Sequence, residues 1–308
     1  MSSTIRVETI TLGDELLLGI RENSHLTYLG TQLAHHGIEP AANLVIRDNP
    51  DDIKGFFSEA WKRSDLVITT GGLGPTTDDL TRESIAEALG EELIYDAEVE
   101  QSIRQRFLQL ERKMPEINLR QCHRPKNAEI LRNPYGTAPG LFLQKEGKIL
   151  VMLPGPAREM HPMFEEQVIP RLQAAGVFPE IDCYLQLRTA GIGESDLAEK
   201  VGPILADIPG IVIGYCAHAG LVDLRLSSLD SDLLDEEKLI KIGDQCREEI
   251  GEDFVCFGDR SLAEVIFREL RSLNQTLAVA ESCTGGLLSA SFTEIPGISK
   301  VFHGGAVC

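Results

Sequence analysis

Residues Thr69–Thr81, reading Thr-Thr-Gly-Gly-Leu-Gly-Pro-Thr-Thr-Asp-Asp-Leu-Thr, restrict this chain more than any other segment. They join the apolar, β-branched run Asp65-Leu66-Val67-Ile68-Thr69-Thr70 to a helical pattern in which Ile85, Ala86 and Leu89 recur until Gly90 stops it. Such a run reads as a parallel strand covered on both faces. Gly71, Gly72 and Gly74 omit the side chains that would hold a phosphate away from backbone N–H groups, and a helix N-terminus adds partial positive charge. Thr76 lies in the same loop and is taken with the glycines as a ligand contact. Asp79 alone would repel phosphate, a conflict that a divalent cation between them removes. The plainer reading is a glycine turn with Asp78 or Asp79 as helix N-cap. The strand, glycine, helix order favours a ligand loop.

Residues 5 to about 175 alternate strand and helix patterns, which predicts an α/β domain over 1–175 with a doubly wound, mostly parallel sheet. Ile5–Leu12 is the first strand, and Asn23 or Ser24 caps a helix with Leu26, Leu29 and Leu33 on one face. Ile38–Ile46 is the second strand, and Pro50 starts a helix burying Phe56, Phe57 and Ala60. Ala97–Lys113 is a helix with the buried stripe Val99, Ile103, Phe107 and Leu110. Lys145-Glu146-Gly147 turns a hairpin, and Pro156 or Ala157 starts the last helix.

Ligands of open α/β sheets lie outside the carboxyl ends of the strands. The loop after Leu12, the Thr69–Thr81 loop and Leu153-Pro154-Gly155-Pro156 therefore share one crevice. Asp14, Glu15 and Asp79 are the candidate metal ligands there, and Asp14, Gly155 and Pro156 candidate substrate contacts. Asn133–Gly140 is a fourth glycine-proline loop, equally a tight connection or a ligand contact. His161 follows the Pro154 loop and is a minor candidate; no histidine spacing suggests a transition-metal cage.

An anionic ligand must be held by such local devices, because 48 acidic against 29 basic residues give a formal charge of −19. That field repels nucleic acid and anionic membranes. No apolar run spans a bilayer and the first residues lack a signal-peptide core, so a soluble, cytoplasmic protein is expected. Seven cysteines without a Cys-x-x-Cys pair argue against a disulfide framework or zinc site, leaving Cys122, Cys183, Cys216, Cys246 and Cys256 as core thiols.

Residues 176–257 read as a small α+β module, with strands at 183–189, 211–215 and 221–229 and helices at 194–205 and 236–250. Leu221-Val222-Asp223-Leu224-Arg225-Leu226 alternates, so one face packs on helices while the other meets solvent or a neighbour. Gly191-Ile192-Gly193-Glu194-Ser195 lacks the basic flanks of a nucleic-acid clamp. From 258 the pattern is a helix over Ser261–Leu273, a strand over Thr276–Ala280, then Glu281-Ser282-Cys283-Thr284-Gly285-Gly286. A hydroxyl before a glycine-opened helix has N–H groups ready as an oxyanion hole. Equally, Ser282 is a helix N-cap and Cys283 a buried thiol.

Gly13-Asp14-Glu15-Leu16, Thr69–Thr81 and Leu153-Pro154-Gly155-Pro156 resemble the molybdenum-cofactor biosynthesis fold, whose loops hold molybdopterin or a nucleotide with a divalent metal. With the segments that follow, the whole chain is more similar to the competence/damage-inducible CinA family. That resemblance implies a metal-dependent pyrophosphatase in 1–175 that splits ADP-ribose into AMP and ribose 5-phosphate. It implies magnesium or cobalt as cofactor, potassium as a further candidate, and a homodimer. It also implies a KH-like spacer and oligomerisation module over 176–257. Residues 258–308 resemble the start of the family's nicotinamide mononucleotide deamidase domain, in which Ser282 is the nucleophile. In the family a Tyr and a Lys follow shortly after the position of Cys308, so this third domain is expected to be incomplete, inactive alone and edged by an unpaired strand. Two other readings stay open, a molybdopterin-binding or adenylyl-transferring protein and a non-enzymatic competence scaffold.

Overall fold

The computed structural model describes residues 5–178, 184–228 and 234–308, which fall in two compact units, 1–182 and 183–308. The first unit runs β1 (Val7–Leu12), α1 (Asp14–Leu17), α2 (Ser24–His35), β2 (Pro40–Ile46), α3 (Pro50–Arg63), β3 (Leu66–Thr70), α4 (Thr81–Leu89), β4 (Leu93–Tyr95), α5 (Ala97–Gln109), β5 (His123–Pro125), β6 (Glu129–Leu131), β7 (Gly140–Lys145), β8 (Lys148–Leu153), α6 (Ala157–Met163) and α7 (Ile169–Ala174). Its six-stranded sheet has the order β2-β1-β3-β8-β7-β6. The first four strands are mutually parallel, and β7 and β6 add antiparallel strands at one edge.

The near-continuous apolar character of β1, β3 and β8 follows from burial on both faces. Val7, Leu66, Ile68, Val151 and Leu153 pack with Leu29 and Leu33 of α2 and Met160, Phe164 and Leu172 of the final helical run. Their neighbours Ile10, Val67, Leu150 and Met152 face the other way, onto Ile53, Phe57 and Ala60 of α3 and Ile85 of α4. The sheet is thus covered by helices on both sides, as the alternating sequence pattern predicts. Within the helices the expected apolar stripes are narrower than read, because Leu26, Phe56 and Leu110 are exposed and only their inward neighbours are buried. The β7–β8 hairpin pairs Lys145 with Lys148. Glu146 and Gly147 both have positive φ (54° and 76°), as a two-residue type I′ turn requires.

The second unit contains β9 (Tyr184–Ala190), α8 (Glu194–Leu205), β10 (Ile211–His218), β11 (Leu221–Ser228), α9 (Glu236–Ile250), β12 (Phe254–Phe257), α10 (Leu262–Ser272), β13 (Leu277–Glu281), α11 (Leu287–Thr293) and β14 (Phe302–Val307). An antiparallel sheet of order β10-β11-β9-β12 packs Leu187, Val222, Leu224 and Leu226 against Leu197 and Val201 of α8 and Leu239 and Cys246 of α9. The other face of β11 is not simply solvated: Asp223 is 1% exposed and receives Arg188 Nε and Nη2, each at 2.8 Å. β13 and β14 form a parallel pair that no other described strand extends. Cys122, Cys246 and Cys256 are buried and Cys216 half-buried, while Cys283 is exposed, not buried; Cys183 lies outside the described residues. Among these residues no helix is long and apolar enough to cross a membrane.

Candidate functional site

Loops at the ends of the parallel strands line one cavity of about 660 Å³. β2 delivers Asp48, β1 delivers Gly13 and Glu15, β3 delivers Gly71, Gly72, Gly74, Asp78 and Asp79, and β8 delivers Gly155, Pro156 and Glu159. Thr137 and Ala138 bring the Asn133–Gly140 loop into the same wall. Asp14 and Thr76 are not part of the lining.

Glycine is demanded in the β3 loop by the loop's own packing. Gly71 and Gly72 have φ of 98° and 66°, where L side chains are strained. A Cβ at Gly72 would collide with the Thr81 hydroxyl, and one at Gly71 would sit 2.7 Å from the Leu12 carbonyl. The Thr81 hydroxyl donates to Gly71 O at 3.0 Å. The Gly71 N–H is spent on the Leu153 carbonyl (3.0 Å), so it is not available to a phosphate as the sequence suggested. The N–H groups of Gly72, Leu73 and Gly74 donate to no atom among the described residues. They form the open cradle.

Asp79 is not a helix cap: α4 begins at Thr81, and its N-cap Leu80 makes no side-chain bond. The Asp79 carboxylate instead accepts the Thr76 N–H (2.9 Å) and the Thr76 hydroxyl, which makes Thr76 its orienting partner. A Cβ at Gly74 would collide with that carboxylate. The turn Glu116–Cys122, whose Gln121 lines the cavity, engages the loop carbonyls. Arg120 donates to Thr76 O and to Asp79 O (3.2 Å), and Gln121 to Leu73 O (3.3 Å). Sequence reading missed both, because they lie some forty residues away with no local pattern.

At the β2 end, burial pushes the Asp48 carboxyl up to about 6; the Asp14 N–H opposes this, and the charges of Asp14, Glu15 and Asp78 add to it. The Asp14 side chain is exposed and outside the cavity lining, so it does not join Glu15 and Asp79 as expected. Among the described residues no three acidic, His or Cys side chains converge to hold a metal alone. The donors around the cavity are nevertheless oxygen, and a Mg²⁺-like ion keeps several waters and takes one or two carboxylates, so one or two of Glu15, Asp48 and Asp79 suffice for it. Asp48 was legible in principle, since it follows a parallel strand as the other site loops do.

His25 Nδ1 lies 2.9 Å from Thr70 Oγ1. Burial lowers its pKa against the opposing backbone bond to Gly155, so a neutral ring ties the ends of β3 and β8. Glu159 Oε2 accepts from Asn133 Nδ2 at 2.8 Å. Asn133 also donates to Ala138 O (2.7 Å) and accepts the Gly136 N–H (2.8 Å), which fixes the fourth loop against the cavity. His161 stays outside it, stacked on Tyr28 at 3.6 Å.

In the second unit Glu281 already occupies two N–H groups in the first turn of the helix that follows Ser282. The Glu281 carboxylate accepts the Leu288 N–H (2.8 Å), the Ser289 N–H (2.9 Å) and the Ser289 and Thr284 hydroxyls. These bonds, the Ser289 hydroxyl first, hold its carboxyl down at about 2. Ser282 is exposed and caps no helix, since α11 has Gly286 as N-cap.

A mostly parallel sheet with a glycine cradle and acids at its strand ends defines an α/β domain of the molybdopterin-binding type. Residues 8–174 match the family described as "Probable molybdopterin binding domain", residues 186–255 the damage-inducible protein CinA KH domain, and residues 259–308 the CinA C-terminal domain. A protein of Clostridium botulinum (strain Okra) named as competence-damage inducible is 41% identical over 310 residues, covering 98% of this chain and 74% of that protein. A CinA-like protein of Kosmotoga olearia is 40% identical, covering 98% and 73%. The crystal structure of the protein CinA from Thermoplasma acidophilum superposes with a TM-score of 0.51 and 32% identity, over 55% of this chain and 99% of that one. The chain belongs to the CinA family.

Proposed function

We propose that the first unit hydrolyses the pyrophosphate of ADP-ribose to AMP and ribose 5-phosphate with a divalent cation, magnesium or cobalt. The observation that carries this reading is the pairing of three open backbone N–H groups, at Gly72, Leu73 and Gly74, with the acids Glu15, Asp48, Asp78 and Asp79 around one cavity. The N–H groups bind non-bridging phosphate oxygens and place the phosphorus over the β3 loop. One or two of Glu15, Asp48 and Asp79 would hold the cation, with water completing its shell; when bound it would neutralise phosphate charge and acidify a water. Asp79, locked by Thr76, is the acid best oriented to hold the ion or position the attacking water.

The purified chain with magnesium or cobalt should release AMP from ADP-ribose. Asp79→Asn keeps an acceptor for Thr76 and should retain the fold while losing about 10²–10⁴ in turnover. A folded variant at the parent rate across metal concentrations removes Asp79 from this role. The family description of residues 8–174 supports a second reading, molybdopterin handling, which pterin absorbance and fluorescence of the purified protein would reveal. The match of residues 259–308 supports nicotinamide mononucleotide deamidation by the complete family domain, with Ser282 as nucleophile. In that case the oxyanion donors come from somewhere other than the N–H groups that Glu281 occupies. The β9–β12 module is assigned to spacing and dimerisation.

A further inference from the structure

Glu159 is an acid in the crevice that neither the phosphate cradle nor the cation end requires. It is 8% exposed and lines the cavity. Its Oε2 is fixed by Asn133, and a Cβ at Gly136 would collide with it. Its Oε1 accepts no hydrogen bond among the described residues, and the nearest cationic atom, Arg158 Nε, is 3.9 Å away on a side chain that is 80% exposed. That oxygen is not among the buried polar atoms left without a partner; it is open to the cavity, where water or a ligand donor meets it.

The strand order β2-β1-β3-β8 lays the crevice out in sequence. Asp48 and Glu15 stand at one end, the open N–H groups stand over β3, and Glu159 follows β8. With strands about 4.8 Å apart, the span from β2 to β8 is roughly 14 Å, the reach of an elongated phosphate ester. A phosphate over β3 with its cation toward β1 and β2 leaves the other half of the ligand against Glu159. That half meets a fixed anionic acceptor and must offer neutral donors. Adjacent sugar hydroxyls do so, and carboxylates accept from ribose hydroxyls in just this manner.

We propose that Glu159 reads the vicinal diol of a ribosyl phosphate and thereby sets the direction in which the ligand lies across the sheet. The proposal rests on the reading that phosphate occupies the glycine cradle. Calorimetric titration of the whole chain with AMP and with 2′,3′-dideoxy-AMP tests it. The parent protein should favour AMP at least about tenfold, the discrimination a charge-assisted hydrogen bond supplies. Glu159→Met should bring the two affinities together, and Glu159→Gln, which keeps an acceptor for Asn133, should cut the ratio at least about threefold. Dideoxy-AMP should bind parent and variants alike, which separates lost recognition from lost folding; if the Met variant does not fold, the Gln variant decides. A parent that does not discriminate, or a ratio unchanged in the Gln variant, overturns the role of Glu159 and leaves the cradle standing. A parent that binds neither nucleotide refutes the phosphate reading, and this proposal with it.

Discussion

Glu8 and Asp48 are two acids drawn out of water by the same sheet, and their carboxyls move in opposite directions for reasons visible in their partners. Glu8, fully buried on β1, takes Arg63 Nε at 2.7 Å and Nη2 at 2.8 Å. The Arg63 bonds, above all, hold its pKa below 4.5. A depressed folded pKa means stability present above the unfolded value and lost as pH falls through the folded one. Glu8→Gln should therefore cost about 2 kcal/mol at pH 7, with the difference shrinking as the pH falls below 4.5. Asp48 pairs with no cation among the described residues, and its carboxyl rises from 3.8 to about 6. Its ionisation costs stability between those two values and above them. In the presence of a chelator Asp48→Asn should be roughly 1 kcal/mol more stable than the parent at about pH 8, solvent screening included, and equal to it at about pH 3. Urea midpoints at both pH values check the pair; a common sign for the two variants would contradict the assignment.

The glycine loop between β3 and α4 separates two roles that one residue type can play. Gly72 sits at positive φ with no space for a Cβ beside Thr81, so Gly72→Ala should destabilise the first unit by about 2 kcal/mol or more. Gly74 has ordinary φ, and its missing Cβ leaves room for the Asp79 carboxylate. Gly74→Ala should keep the denaturation midpoint near the parent's while ADP-ribose turnover falls at least about tenfold, because the acid is pushed off its Thr76 partner. Equal stability for the two variants would mean that the loop relaxes freely. The three glycines and Asp79 were legible in sequence because turn chemistry is local. The braces Arg120 and Gln121, and the change of Thr76 from ligand contact to orienting partner, were not, since they depend on where a distant turn docks.

Across the whole molecule the second unit is sensitive at Arg188, which saturates the buried Asp223 and also donates to the carbonyls of Asp259 and Arg260. Arg188→Ala leaves a carboxylate buried without its cation, so residues 184–308 should lose about 3–5 kcal/mol. Hydrogen exchange should quicken in β9–β12 and leave β1–β8 as in the parent; uniform exchange in both units would refute this. Asp223 also marks a limit of pattern reading: alternation along β11 correctly separated its two faces but could not tell that the polar one is covered. The amino-acid sequence by itself determined the parallel strands, through β-branched runs that only double-sided burial explains, the strand-end loops, through glycines needed at positive φ, and the family. Tertiary structure alone decided that Asp48, His25 and Glu159 enter the crevice and that the Asp14 carboxylate stays out of its lining. It also decided that Glu281 takes the Leu288 and Ser289 N–H groups at the start of α11. Strand order and loop docking set these neighbours, and local periodicity carries no record of which strand ends lie side by side.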